Sequence, residues 1–117
     1  MPNFLLRTFE LARQNIREGG GPFGALVVRN GELIAEGVNE VTSSNDPTAH
    51  AEIVAIRKAC QVLGHFQLNG CEIYTSCEPC PMCLSAIYWA RAKGIVYGAS
   101  RQDAAAVGFD DDLIYRE

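Results

Sequence analysis

The chain has 117 residues, 48% of them apolar, which predicts a single globular domain over residues 1–117. Its net charge is −4 and it has no run of lysine or arginine, whereas nucleic-acid-binding surfaces usually appear as basic patches. No segment reaches the about 20 apolar residues that a membrane span requires, and the charged N-terminus is unlike a signal peptide.

The first predicted element is a helix that begins after Asn3, a residue type that caps helix N-termini. Apolar residues then recur at spacings of four, three and four: Leu5, Phe9, Ala12 and Ile16. This spacing predicts one buried apolar stripe, and the glycines at 19–21 end the helix.

A β-hairpin is predicted next. Residues 25–28 are a short apolar run, Asn30-Gly31 is a strong hairpin-turn signal, and residues 32–38 form the antiparallel return strand. Phe23 lies in the tight loop before the first strand, where it can anchor the loop or contact a ligand. Asn39 follows the second strand. It can stabilise a turn or present its amide to the edge of a purine.

The second predicted helix begins with Asp46 as N-cap and Pro47 at the first helical position, after a polar loop over residues 39–46. Gly64 ends it, and Cys60 is predicted to be a small buried residue within it. His50 and Glu52 therefore lie close to its N-terminus. Since residues two apart diverge on a helix, these two side chains can converge only on a point in front of the helix end.

Two further strands, residues 71–75 and 94–98, flank a third helix running from Pro79 to about Ala92. Tyr88 and Trp89 are predicted to be core residues of this helix. Helical crossovers between strands predict parallel pairing for both strands. The expected fold is an α/β, three-layer α/β/α sandwich with a mixed sheet in the order 2-1-3-4.

The cysteines indicate a metal site. Three of the five fall within residues 77–83, which favours metal binding in a reducing compartment, and hence a cytoplasmic protein, over disulfides. Cys80 and Cys83 lie on one helical face, whereas Cys77 precedes the helix and is excluded as a ligand. His50 is the best third ligand. Three protein ligands with an open fourth position are typical of catalytic zinc, and Glu52 beside the metal can transfer protons.

The combination His-x-Glu with Pro-Cys-x-x-Cys is the signature of zinc-dependent nucleobase deaminases. The chain resembles the cytidine-deaminase-like superfamily, and within it the bacterial guanine deaminases. The resemblance runs from about Gly19 to the end of the chain, and its matching segments are GGPFG (20–24), Asn39, NDPTAHAE (45–52), YTSCEPCPMC (74–83), AIYWAR (86–91) and GFDD (108–111). Chains of that family continue past the position of Glu117 with a further strand and a segment exchanged between subunits, so the chain is expected to be short at its C-terminus.

The resemblance implies one Zn²⁺ per chain, held by His50, Cys80 and Cys83. It implies hydrolytic deamination of a purine base, guanine, to xanthine and ammonia, with Glu52 and Asp111 carrying protons. The residues that it places around the substrate are Phe23, Asn39, Ala51, Glu78 through its backbone carbonyl, and Trp89. It also suggests a homodimer, with no nucleic-acid or membrane partner expected.

Two alternatives stay open. A tRNA adenosine deaminase shares the NDPTAHAE and Glu-Pro-Cys patterns, but the acidic net charge and the GFDD segment argue against it; a cytosine or cytidine deaminase is a more distant possibility. A structural zinc module, or an inactive truncated deaminase, is the second alternative. Glu52 argues against it, because a closed structural site has no use for a carboxylate beside the metal.

Overall fold

A computed structural model describes residues 3–99 and contains four helices and four strands in that range. In chain order they are α1 (Phe4–Arg17), β1 (Gly24–Arg29), β2 (Glu32–Val38), α2 (Val41–Ser44), α3 (Ala51–Leu63), β3 (Cys71–Cys77), α4 (Pro81–Ala90) and β4 (Gly94–Ala99). None of these described helices has the length and apolar character of a membrane span.

The four strands form one mixed sheet in the order β2-β1-β3-β4, as the sequence predicts. β1 pairs antiparallel with β2, and β4 pairs parallel with β3, also as predicted. The parallel pairing predicted for β3 is wrong: β3 is hydrogen-bonded to β1 and runs antiparallel to it. The crossover through α3 does make β3 parallel to β2, but β1 lies between these two strands.

Helices cover both faces of the sheet, which gives the expected three layers. Alternate residues of β1 face opposite layers, because side chains along a strand point to alternate sides. Leu26 and Val28 pack with Leu11 of α1, whereas Ala25 and Val27 belong to the cluster formed with α3 and α4. All four of these β1 side chains are buried.

The first helix has the predicted cap but a different buried face. Asn3 Oδ1 accepts a hydrogen bond from the Leu6 N–H at 3.0 Å. The predicted stripe is confirmed at Ala12, which is buried, but it is wrong at Phe9 and Ile16, which are 37% and 53% exposed. The buried residues of α1 are Thr8, Leu11, Ala12 and Asn15. Gly24 explains why α1 turns this face towards the sheet. A Cβ at Gly24 would overlap the Thr8 carbonyl, so β1 lies directly against the backbone of α1 on the Thr8 side.

Both helices that were predicted to begin at a proline begin later in the chain. α3 starts at Ala51 with His50 as N-cap, and not at Pro47. Asp46 instead closes a turn, in which its carboxylate accepts hydrogen bonds from the Thr48 N–H at 2.9 Å and hydroxyl at 2.6 Å. The preceding segment, predicted to be all loop, contains the short helix α2.

The third predicted helix starts at Pro81 rather than Pro79, and Cys80 is its N-cap. It ends at Ala90, because Arg91 adopts a left-handed conformation with φ of 63°. Its buried face consists of Cys83, Ile87 and Ala90. Tyr88 and Trp89 lie outside that face and are 65% and 71% exposed, so the prediction that they are core residues is wrong.

Candidate metal centre

The candidate site lies at the sheet edge where β1 begins and where β2 and β3 end. Two helices start at this edge, and their N-caps are His50 for α3 and Cys80 for α4. Cys83 lies in the first turn of α4 and is fully buried. Two helix N-termini therefore meet at one point, and each contributes about half a positive charge that favours negatively charged groups there.

The distances within this cluster fit a tetrahedral metal. His50 Nδ1 lies 3.6 Å from Cys80 Sγ and 3.5 Å from Cys83 Sγ. All three ligand atoms lie within 4.8 Å of one another. Zinc bonds of about 2.0–2.1 Å to nitrogen and about 2.3 Å to sulfur place such atoms about 3.6 Å apart at tetrahedral angles. The donor set and its spacing thus fit Zn²⁺, with Nδ1 as the histidine ligand atom.

The two thiols share their protons unequally. A hydrogen bond from Cys83 lowers the pKa of Cys80 to about 4, with further help from His50 and against the effect of burial. The same hydrogen bond and burial raise the pKa of Cys83. The arrangement therefore favours the thiolate at Cys80, which is the form that binds a metal, and Cys83 must release its proton on binding.

Glu52 lies in the first turn of α3, and only 8% of its surface is exposed. Burial is the main cause of its raised pKa, and a hydrogen bond to its own backbone N–H opposes the shift. Its carboxylate also interacts with Cys83, Cys80 and His50, so it lies beside the candidate ligands. A carboxylate so placed can accept and return protons at the metal.

Hydrogen bonds between neighbouring elements fix the segment that carries the cysteines. The Gly24 N–H donates to Ser76 Oγ at 3.1 Å, which joins the start of β1 to the end of β3. The Glu78 N–H donates to the Ala99 carbonyl at 2.6 Å, which joins the loop before α4 to the end of β4. These bonds hold both ends of the turn leading to Cys80.

Asn39 and Phe23 lie together at the same edge. An added Cβ at Gly21 would lie 3.3 Å from Phe23 Cδ2 and 3.6 Å from Asn39 Cγ, so both side chains border that glycine. Asn39 Oδ1 accepts from the Val41 N–H at 3.0 Å, which is the turn-stabilising role. The neighbouring Glu40 N–H donates to the Ala49 carbonyl at 2.9 Å, and this bond connects the Asn39 segment to the residue before His50.

Of the other predicted site residues, two lie close to the metal ligands in the sequence and one lies on the exposed side of α4. Ala51 is fully buried at the start of α3, and Glu78 is half-buried in the loop before Cys80. Trp89 is on the exposed side of α4, where its ring contacts Tyr88 and Arg91, and the structure does not bring it to the buried face of Cys83. Asp111 lies outside the described residues.

Sequence reasoning missed two polar side chains near this edge, Ser76 and Asn15. Asn15 is buried on α1, and its Nδ2 donates to the carbonyls of Gly21 at 2.9 Å and Asn39 at 3.0 Å. A signal was available, because asparagine is unfavourable in helix interiors unless its side chain has another partner. Its position three residues after Ala12 would have placed it on the buried face.

Comparisons with known proteins agree with this geometry. The family described as the cytidine and deoxycytidylate deaminase zinc-binding region matches residues 2–99. The guanine deaminase of Bacillus subtilis is 63% identical over 115 residues, which cover 97% of this chain and 74% of that protein. The tRNA-specific adenosine deaminase of Aquifex aeolicus is 40% identical over 96 residues, which cover 82% of this chain and 64% of that protein.

Among solved structures, the X-ray structure of guanine deaminase from Bacillus subtilis superimposes with a TM-score of 0.96 at 61% sequence identity. The match covers 100% of this chain and 76% of that one. The fold of the described residues is therefore shared with a guanine deaminase.

Proposed function

Because the chain belongs to the cytidine and deoxycytidylate deaminase zinc-binding family, we propose that it is a zinc-dependent hydrolase that converts guanine and water to xanthine and ammonia. The observation that carries the proposal is the convergence of His50, Cys80 and Cys83 with the buried carboxylate of Glu52. A closed structural site would not need that carboxylate.

In this proposal His50, Cys80 and Cys83 hold the metal, and the position facing Glu52 is left for water and substrate. When bound, zinc supplies the Lewis acidity that makes water a nucleophile near neutral pH. Glu52 accepts a proton from the attacking water and delivers protons to the ring nitrogen and the leaving amine. Burial raises the pKa of Glu52 towards the working pH. A carboxyl group with such a pKa can both accept and donate a proton.

The purine is proposed to bind between residues 21–23 and Asn39, on the β1–β2 side of the metal ligands. The Asn39 amide is held in a fixed plane by the hydrogen bond from Val41, so it is preorganised to read a purine edge. Further proposed contacts are Phe23, Ala51 and the backbone carbonyl of Glu78. Trp89 is implied by the resemblance alone, because its ring lies on the exposed side of α4. Asp111 is proposed as a second proton carrier.

Guanine is favoured over adenosine in tRNA for two reasons. Identity is 63% to a guanine deaminase and 40% to a tRNA-specific adenosine deaminase. The net charge of −4 also gives little attraction for a phosphate backbone. Catabolism of a free purine base is accordingly the proposed role.

We also propose that the protein is a cytoplasmic homodimer. None of the five cysteines, all of which lie in the described residues, forms a disulfide, which suits a reducing compartment. β4 is the last strand of the sheet within the described residues, and the adjacent helix α4 exposes Leu84, Tyr88 and Trp89. Unpaired strand edges and exposed aromatic side chains both favour association.

The direct experiment is to measure ammonia release by the zinc-loaded protein from guanine, from cytosine and from a tRNA anticodon stem-loop containing adenosine. Guanine should be turned over fastest, and the product should be xanthine by chromatography. Faster release from the stem-loop would reverse the substrate assignment. No release from any substrate, with zinc present at one per chain, would support a structural zinc module instead.

A further inference from the structure

Asn15 joins two segments that are 18 residues apart in the sequence, Gly21 and Asn39. Its Nδ2 carries two hydrogens, and the two carbonyls that accept from it, at 2.9 and 3.0 Å, belong to different segments. The side chain is only 7% exposed, so neither bond is easily replaced by one to water.

Both segments border the proposed purine pocket. Gly21 lies next to the side chains of Phe23 and Asn39, and the Asn39 segment is bonded through Glu40 to Ala49, the residue before His50. The Nδ2 atom of Asn15, on helix α1, therefore sets the separation between the Phe23 loop and Asn39.

The local backbone accommodates this amide. A Cβ at Gly20 would overlap the Asn15 carboxamide, and the Gly20 N–H donates to the Asn15 carbonyl at 2.8 Å. A glycine at position 20 is thus needed for the side chain to reach both acceptors. Gly20 does not have a positive φ, so steric room rather than backbone conformation is the requirement.

We propose that Asn15 is a positioning residue for substrate specificity, which fixes the distance between the Phe23 loop and Asn39 and thereby the affinity for the purine. The inference rests on the proposed function, in that the substrate is a purine base bound between these segments. Asn15 itself does not touch the substrate, so its loss should weaken binding while the proton transfers of Glu52 continue.

Two variants and one control test this. Asn15→Leu removes both donors with a side chain of similar size, and Gly20→Ala displaces the amide while leaving Asn15 in place. Thr8→Val is the matched control: Thr8 is fully buried on the same face of α1, but its hydroxyl donates to the Leu5 carbonyl within the helix at 2.6 Å. The control therefore removes a buried hydrogen bond of α1 in which neither loop takes part.

Steady-state kinetics with guanine give the first readout. KM should rise about tenfold or more in Asn15→Leu and Gly20→Ala, with kcat within about threefold of the wild type, because uniform binding is lost. Thr8→Val should leave both constants within about twofold. An unchanged KM in both loop variants, or an equal rise in Thr8→Val, would overturn the proposal.

Amide hydrogen exchange gives a second readout that does not depend on turnover. Peptides containing residues 21–23 and 39–41 should exchange faster in both loop variants, because the loss of the Asn15 hydrogen bonds lets these segments open locally. Their exchange should be unchanged in Thr8→Val. Unchanged exchange would overturn the positioning role even if KM rises. If the wild type does not deaminate guanine at all, the proposed function fails, and faster exchange would still support the connection that Asn15 makes.

Discussion

His50, Cys80 and Cys83 come from two helix starts separated by 30 residues of sequence, yet their ligand atoms meet within 4.8 Å. The two cysteines are not equivalent, since Cys80 carries the lowered pKa and Cys83 is fully buried. Because Cys83 is buried, water cannot easily take its place as a ligand. Its removal is therefore the sharper test of the metal assignment.

Cys83→Ser should reduce bound zinc from one per chain to well below one, because a serine hydroxyl is a poor replacement for a thiolate ligand. The measurement is elemental analysis of the purified protein after dialysis. Cys60→Ser is the control, since Cys60 is a free thiol on α3 outside the cluster and should retain full zinc. Stoichiometric zinc in Cys83→Ser would refute this ligand set.

Glu52→Gln should keep zinc and the fold but lower guanine turnover by roughly 10²–10⁴-fold, the usual contribution of acid–base catalysis. The amide has nearly the shape of the carboxylate, so packing is preserved, but it cannot accept a proton. Ammonia release and zinc content are measured on the same sample. Glu72→Gln, a half-buried position near the start of β3, is the control; near-normal turnover in Glu52→Gln would mean that another group carries the proton.

At the scale of elements, the turn before α3 depends on Asp46. Hydrogen bonds from the Thr48 hydroxyl, and then from its N–H, lower the pKa of Asp46 in the folded state. A depressed folded pKa stabilises the protein above the unfolded pKa, and the contribution is lost as pH falls through the folded value.

Asp46→Asn should therefore lower the free energy of unfolding at pH 7, and the difference from the wild type should shrink below about pH 4, where free aspartate protonates. Urea unfolding at pH 7 and at pH 3 measures this. Glu32→Gln, an exposed carboxylate at the start of β2, is the control and should show no such difference. An equal loss for Asp46→Asn at both pH values would indicate that the charge of Asp46 has no part in the turn.

Gly37 brings β2 and α3 into contact. A Cβ at Gly37 would overlap the Ala51 carbonyl and the Ala55 backbone nitrogen, so the strand lies directly against the helix that carries Glu52. Gly37→Ala should destabilise the fold by about 1–3 kcal/mol, the usual cost of overpacking, as measured by urea unfolding. Gly94→Ala, in β4 with no atom within 4 Å of the added Cβ, should be near neutral. A neutral Gly37→Ala would show that α3 can move away at little cost.

Local signals predicted the β1–β2 hairpin, through the Asn30-Gly31 turn, and the placing of Cys80 beside Cys83, through their spacing. His50 was assigned to the same site by its chemistry, as the best remaining ligand, and the structure brings it to the two cysteines. The face of α1 was mispredicted because its orientation is set by Gly24 on another element. The starts of α3 and α4 were misplaced because Asp46 and Pro79 fit helix N-termini equally well in isolation. In the structure Asp46 instead accepts from Thr48 in a turn, and the first helical hydrogen bonds run to the carbonyls of His50 and Cys80.

At the scale of the whole molecule, apolar side chains stay exposed on the α4 side of the sheet. Leu84, Tyr88 and Trp89 are 47%, 65% and 71% exposed, and Tyr97 of the neighbouring strand β4 is 45% exposed. Arg91 lies over both aromatic rings of α4, at 4.7 and 5.8 Å. Tryptophan, tyrosine and arginine are the residues that most often dominate binding energy at protein interfaces.

The protein should therefore sediment as a homodimer, with α4 at or near the contact. The acidic C-terminal segment, which is also expected there, lies outside the described residues. Sedimentation velocity over a wide concentration range measures the state. Trp89→Lys should shift the population towards monomer, because a charge would be buried at the centre of the contact. Leu33→Lys is the control: Leu33 is 41% exposed on β2, at the opposite edge of the sheet. A well-behaved wild-type monomer at all concentrations would contradict the prediction, as would equal dissociation in both variants.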